Sequence, residues 1–218
     1  IIDHKSDKKI VDKFHSILKN VFFNYEVLFL DYEKYNSKIS NQNEIKDLVT
    51  ENQKSNMSNI HQSLDIAKNC EDLIYFVEDD YLHTRGSILE LLLTYEKFSS
   101  QLNSELFLCP ADYPYLYRDI ENTNILLGDK SHWRKINQSL CTFMTSRKMI
   151  DKYYEKLTKM CTFEHYPFEK PLHDIFRSEL CFSPIPSIAN HCTNINSVYG
   201  ISPNVDLKNL WEECEPKN

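Results

Sequence analysis

The chain has 218 residues, 41% hydrophobic and 26% charged, which suits one domain with a real core and excludes wholesale disorder. Only three glycines occur, Gly86, Gly128 and Gly200. That excludes a Gly-x-Gly-x-x-Gly dinucleotide loop and a Walker phosphate loop, both of which need glycines close together. The net charge of −7 argues against a nucleic-acid partner, which calls for a cationic footprint.

In chain order, Ile1-Ile2 reads as the end of a strand running into Asp3-His4-Lys5-Ser6-Asp7, with Ser6 as the expected helix cap. Ile10, Val11, Phe14, Ile17 and Leu18 then recur at helical spacing. Residues 27–30 form a short apolar run and predict a strand, whereas 33–56 are polar with weak helical character. Met57, Ile60, Leu64 and Ala67 share one face of a second helix. The strongest strand signal is the apolar run 73–77, read as a buried central strand that stops at Glu78-Asp79-Asp80.

Residues 87–98 predict a leucine-rich helix, 105–109 a strand and 110–117 an aromatic loop. Short strands are expected at 125–127 and 140–144, followed by a helix capped by Ser146 and carrying Met149, Ile150, Tyr153 and Leu157. Pro171 suits the first turn of a short helix containing His173, Asp174 and Phe176. Extended structure at 180–187 and a terminal helix with Leu207, Leu210, Trp211 and Cys214 complete the pattern. Alternating strands and helices predict an α/β sheet.

The seven cysteines form no Cys-x-x-Cys pair, and several lie in apolar runs such as 106–109 and 180–182. Reduced, buried thiols behave there as small hydrophobes. No apolar run approaches the roughly 20 residues that cross a bilayer, and no signal peptide is visible. The expectation is a cytoplasmic protein without a transmembrane segment.

Three consecutive carboxylates at a strand end repel one another unless a cation compensates. If the strand continues, Glu78 and Asp80 point to the same side, and two hard oxygen ligands there suit Mn²⁺ or Mg²⁺ shared with substrate phosphates. A solvated acidic turn is the other reading. His191, after an expected strand, is a candidate third ligand. Arg134, in His132-Trp133-Arg134, can balance diphosphate charge. Asp112, Tyr113 and Tyr115, with Trp133, can line an acceptor groove, since sugar C–H faces pack on aromatic rings; ordinary packing of loop aromatics is the alternative.

The segment 72–80 resembles the Asp-x-Asp region of family 2-like glycosyltransferases of the GT-A fold, with Glu78 in place of the first Asp. Residues 1–7 resemble the strand-end turn that cups the nucleotide base in that family, and 59–80 its helix and strand before the metal motif. The resemblance spans roughly residues 1–190. It implies a three-layer α/β/α sandwich around a mostly parallel, mixed sheet. It also implies one domain over 1–218 without the family's first strand and helix, which have no counterpart before Asp3. By the same resemblance Asp3, Ser6, Glu78 and Asp79 contact the nucleotide-sugar, while Asp80, Glu78 and His191 hold the metal. The family's catalytic base is commonly an acidic residue starting a short helix about 90 residues on. That points to Asp174, 94 positions beyond Asp80, with Asp112 second; a first-turn Asp merely complementing the helix dipole is the competing reading.

The expected activity is therefore metal-dependent transfer of a hexosyl or deoxyhexosyl group from a nucleotide-diphosphate sugar to a hydroxyl of a glycan or other acceptor, with inversion. A sugar nucleotidyltransferase fits less well, because its glycine- and lysine-rich N-terminal loop is missing. A non-catalytic sugar- or protein-binding domain is the third reading.

Overall fold

A computed structural model describes residues 1–19, 24–36, 49–120, 122–164, 167–193, 195–203 and 205–215. The chain opens with β1 (Ile2–Asp3), α1 (Lys8–Leu18) and β2 (Leu28–Phe29). β1 and β2 pair in parallel, with Asp3 opposite Phe29. The α1 cap is Asp7 rather than Ser6: its carboxylate accepts the Lys9 amide at 2.8 Å. α2 (Tyr32–Asn36) and α3 (Glu51–Ala67) come next. Residues 37–48 of the polar stretch lie outside the described residues. Thr50 and Gln53 form a reciprocal capping box that starts α3, and Met57, Leu64 and Ala67 are buried on its expected face.

Three side chains of α3 fix its direction. Ser55 bonds His4, Asn59 donates to the Ile2 carbonyl at 3.2 Å, and Gln62 donates to the Phe29 carbonyl at 3.2 Å while accepting the Asp31 amide at 2.8 Å. Residue 55 meets residue 4 and residue 59 meets residue 2, so α3 runs antiparallel to β1. The chain leaving α3 continues as β3 (Leu73–Phe76).

The rest of the chain supplies β4 (Tyr81–His83), α4 (Ser87–Leu102), β5 (Phe107–Leu108), β6 (Ile125–Leu127), β7 (His132–Lys135), β8 (Phe143–Ser146), α5 (Arg147–Thr158), α6 (Lys170–Ser178), β9 (Cys181–Ile185), β10 (Ala189–His191) and α7 (Leu207–Cys214). Six strands form the central sheet in the order β3-β8-β5-β9-β7-β6. β8 is antiparallel to both β3 and β5, and β5 is parallel to β9. β3, β5 and β9 thus run the same way and end on one side.

Strand alternation divides the core into two layers. Ile74 and Phe76, Phe107, Phe143 and Cys181 face one side, where α3, α5 and α6 pack. Leu73 and Tyr75, Leu108, Met144 and Phe182 face the other, against Leu91, Tyr95 and Phe98 of α4. The result is a three-layer α/β/α fold with a mixed sheet.

Three expectations need correcting. The sheet is not mostly parallel, because β8 inserts between β3 and β5 and β6–β7 is a hairpin; β5–β9 is its one parallel contact among the described residues. β3 stands at one end of the strand order and is half-buried rather than central. β7, carrying His132-Trp133-Arg134, is a strand where none was expected. Trp133 is fully buried, its indole N–H donating to Glu90 at 3.2 Å. Glu90 also accepts the amides of Lys130 and Ser131 at 3.0 and 3.1 Å, tying the hairpin to α4. Gly128 permits that approach: a Cβ there would lie 2.3 Å from the Trp133 ring nitrogen. The seven cysteines are free thiols. Among the described residues no helix is long and apolar enough to cross a membrane.

Candidate active site

β4 and β10 form a separate antiparallel pair beside the carboxyl ends of β3, β5 and β9, with His191 opposite Tyr81. The Cys192 amide donates to the Asp80 carbonyl at 2.8 Å, extending the ladder past Asp80. Below lies a small cluster of Tyr81, Ala111, Tyr113 and Ala189, with the Tyr81 and Tyr113 hydroxyls hydrogen-bonded to each other. On this floor His191 Nε2 sits 2.9 Å from Asp80 Oδ2, and His191 Nδ1 sits 2.9 Å from the Tyr199 carbonyl.

A carbonyl only accepts, so Nδ1 carries a proton, and Nε2 faces a carboxylate. This arrangement favours the imidazolium. Burial pulls the His191 pKa down, but the bonds to Asp80 and the Tyr199 carbonyl, with the charges of Asp80 and Glu78, raise it overall. Burial likewise pushes Asp80 up, but the hydrogen bond and charge of His191, with the Thr193 hydroxyl nearby, outweigh it and hold the carboxyl below its ordinary value. The other oxygen of Asp80, Oδ1, is buried and has no hydrogen-bond partner among the described residues.

Glu78 shares this neighbourhood but is turned to β8. Its amide donates to Thr142 Oγ1 at 3.0 Å, and its carboxylate accepts the Thr142 hydroxyl at 3.3 Å. Burial, with the negative charges of Asp80 and Glu169 against the opposing pull of His191 and Thr142, pushes the Glu78 carboxyl up to about 7. Among the described residues no group of three or more His, Cys, Asp and Glu side chains is arranged to hold a metal. The expected trio reduces to Asp80 and His191 in direct contact, with Glu78 beside them. Asp79 is exposed.

Glu169, at the N-cap of α6, was not singled out from the sequence. It is half-buried, and its charge reaches Glu78, Cys141, His173 and Tyr199. The available signal was an acidic residue just ahead of a proline-initiated helix, five positions before Asp174. Asp174 itself lies on the outer side of α6, because Leu172, His173, Ile175 and Phe176 take the inner side. Its two oxygens are held by Arg177 at 2.9 Å and Lys170 at 3.4 Å. It borders a shallow cleft of about 310 Å³ with Glu155, Lys156, Lys159 and Pro171, away from the Asp80–His191 contact.

Asp3 and Ser6 line a second cleft of about 450 Å³ together with His4, Lys5, Asp31 and Tyr32. The His4 ring stacks on Tyr32 at 5.1 Å, and the Lys5 ammonium lies 5.7 Å from the Tyr32 centroid. This cleft follows β1.

Several other expectations fail on burial. Arg134 and Asp112 form a buried ion pair at 3.1 Å. The Tyr117 hydroxyl bonds to both, and the guanidinium lies 4.4 Å over its ring. Burial raises the Asp112 carboxyl despite Tyr117 and Arg134. Arg134 is therefore spent on Asp112 rather than free for a diphosphate, and Asp112 is neither acceptor-binding nor a base in this arrangement. Tyr113 and Trp133 are core residues, 1% and 0% exposed. Tyr115 is half-buried, packs on Tyr199 at 5.3 Å and donates to the Gln138 carbonyl. It is the least buried of the three aromatic candidates. Compared with known proteins, the chain matches no family model and no curated protein.

Proposed function

We propose that this chain is a metal-dependent glycosyltransferase, resembling those of the GT-A fold, that uses a nucleotide-diphosphate sugar on the cytoplasmic side. The observation that carries the reading is the buried Asp80 Oδ1, without a hydrogen bond among the described residues, beside His191. A buried carboxylate oxygen without a partner is costly. An imidazole whose Nδ1–H is pinned by a carbonyl is oriented as metal-bound histidines are.

Asp80 and His191 would hold Mn²⁺ or Mg²⁺ together with the donor diphosphate, the cation displacing the proton that His191 Nε2 shares with Asp80. A cation held there would neutralise the negative charge that grows on the departing diphosphate. The chain's own residues do the rest. The Tyr199 carbonyl keeps Nδ1 protonated and the ring in place. The turn from Asp3 to Ser6, with Tyr32, receives the nucleoside end of the donor. Glu169 rather than Asp174 takes the acceptor hydroxyl proton, since its charge acts on Glu78 and Tyr199 while Asp174 is neutralised by two cations. Attack from the side opposite the diphosphate inverts the anomeric centre. Tyr115 and Tyr199 offer ring faces to the acceptor sugar.

The test is thermal stabilisation of the chain by a panel of nucleotide-diphosphate sugars with and without Mn²⁺, since a ligand of the native state raises stability. At least one donor should stabilise it only with metal present, and should then be slowly hydrolysed. A metal-independent response without hydrolysis would favour a binding domain, and no response from any donor would overturn the proposal.

A further inference from the structure

α1 is the exception among the longer helices. Its apolar residues Ile10, Val11, Phe14, Ile17 and Leu18 fall within a single arc of roughly 120° at 100° per residue, yet no residue of the helix is buried. Ile10, Phe14 and Ile17 are 58%, 47% and 45% exposed. By contrast α3, α4, α5, α6 and α7 each bury side chains on their apolar faces. Lys9 and Lys13 border the arc beside Ile17 and Ile10, where long stems can lie along an apolar surface and keep their ammonium groups in a polar layer.

The charge of this segment opposes that of the chain. Between Lys5 and Lys19 there are five lysines (5, 8, 9, 13 and 19) against Asp7 and Asp12, a net +3 within a protein of −7. The helix has 11 residues, about 16 Å of length, far too short to span a bilayer but suited to lying in its surface. A short, cationic, strongly amphipathic helix with an uncovered apolar stripe is the physical signature of interfacial membrane binding.

From this charge complementarity and uncovered stripe we infer that α1 docks the protein in the plane of an anionic lipid bilayer, with Ile10, Phe14 and Ile17 entering the acyl boundary and the lysines meeting the headgroups. A second copy of the chain is disfavoured as the occupant, because a two-fold contact through α1 sets lysines against lysines. The inference is independent of the proposed activity. It also places a membrane surface next to the Asp3–Ser6 cleft, since α1 begins directly after that turn.

Co-sedimentation of the full chain with vesicles of phosphatidylcholine, alone or mixed with phosphatidylglycerol, tests it. The chain should pellet with the mixed vesicles and stay in solution with phosphatidylcholine alone. Phe14→Asp should weaken that binding about tenfold or more, as expected for losing a buried aromatic side chain. Lys9→Glu with Lys13→Glu should weaken it and flatten its dependence on salt. Both changes are on exposed positions, so circular dichroism should show an intact fold; Phe14→Trp, with emission shifting to the blue on vesicle addition, gives a readout that does not depend on a loss. Failure of the chain to pellet with mixed vesicles overturns the inference, as does full binding by Phe14→Asp. A concentration-dependent dimer that Phe14→Asp abolishes, without vesicle binding, would assign the face to a second copy instead.

Discussion

Two aspartates 94 positions apart show how little a residue type says without its surroundings. Asp80 lies beyond β3 with one oxygen on His191 at 2.9 Å and the other buried without a partner among the described residues. Asp174 lies on the outer side of α6 with both oxygens taken by cations, Arg177 and Lys170. Both carboxyls sit below their ordinary pKa, burial in each case being outweighed by hydrogen bonds and charges from neighbours. Only Asp80 retains unused coordinating capacity. A low pKa therefore does not separate a functional carboxylate from a structural one here; the unfilled oxygen does.

The largest effect should come from Asp80→Ala, which removes that oxygen. Metal-dependent stabilisation by a nucleotide-diphosphate sugar should vanish, as read by calorimetric titration with Mn²⁺, while the apo fold persists because the residue lies beyond the strand. Unchanged donor affinity would erase the distinction between the two aspartates.

Next come the two candidates for the base. Glu169→Gln should cut transfer by roughly 10²–10⁴-fold, the usual contribution of a general base, with donor affinity retained. Asp174→Asn should leave turnover within about twofold, because a neutralised outward carboxylate contributes no proton transfer. The reverse outcome in a paired rate measurement would return the base to Asp174.

The two sides of α6 offer a third contrast. Phe176 is fully buried against Phe107 and Phe143, with ring centroids at 5.1 and 6.0 Å. Phe176→Ala should cost about 3–5 kcal/mol in denaturant unfolding, through lost transfer energy and the cavity left behind. A cost under about 1 kcal/mol would mean that α6 is not anchored through this face, and the outward placement of Asp174 would lose its basis.

The smallest effect concerns the Asp174 ion pairs themselves. After solvent screening they should contribute only a few tenths of a kcal/mol each, about 0.3–0.5 for helical pairs of this spacing. The sign follows from the lowered carboxyl: its native state releases the proton more readily than the unfolded chain. The contribution is thus present above the ordinary Asp value and is lost as pH falls through the lower native value. Comparing melting temperatures from neutral to acid pH, Asp174→Asn should show a slightly shallower acid-side decline than the unsubstituted chain. An identical decline would mean that the pairs carry no linkage.

Much of the architecture was legible because it rests on local periodicity. The runs containing Phe107 and Leu108, or Phe143 and Met144, alternate between the two core layers, so a short apolar run signals a strand buried on both faces. Ser146 caps α5 through the Met149 amide at 3.3 Å, and Pro171 sits in the first turn of α6, both as local rules require. β7 escaped this reading because His132 and Lys135 are exposed while Trp133 and Arg134 are both buried. A buried arginine breaks the polar-out rule and is tolerated only because Asp112 and Tyr117 meet it.

By itself the sequence determined most of the strands and helices, the faces that α3 to α7 bury, and the presence of an acidic triplet at a strand end, though not β4, β7 or β10. These follow from side-chain spacing of about two or 3.6 residues, which operates over a few positions at a time. Tertiary structure alone decided that Asp80 meets a histidine 111 positions away, that Arg134 pairs with Asp112, and that Asp174 lies on the outer side of α6 between two cations. Such choices depend on which chain ends the sheet brings together and on which charges are already neutralised. Coulomb and hydrogen-bond terms act over a few ångströms of space without regard to separation along the chain.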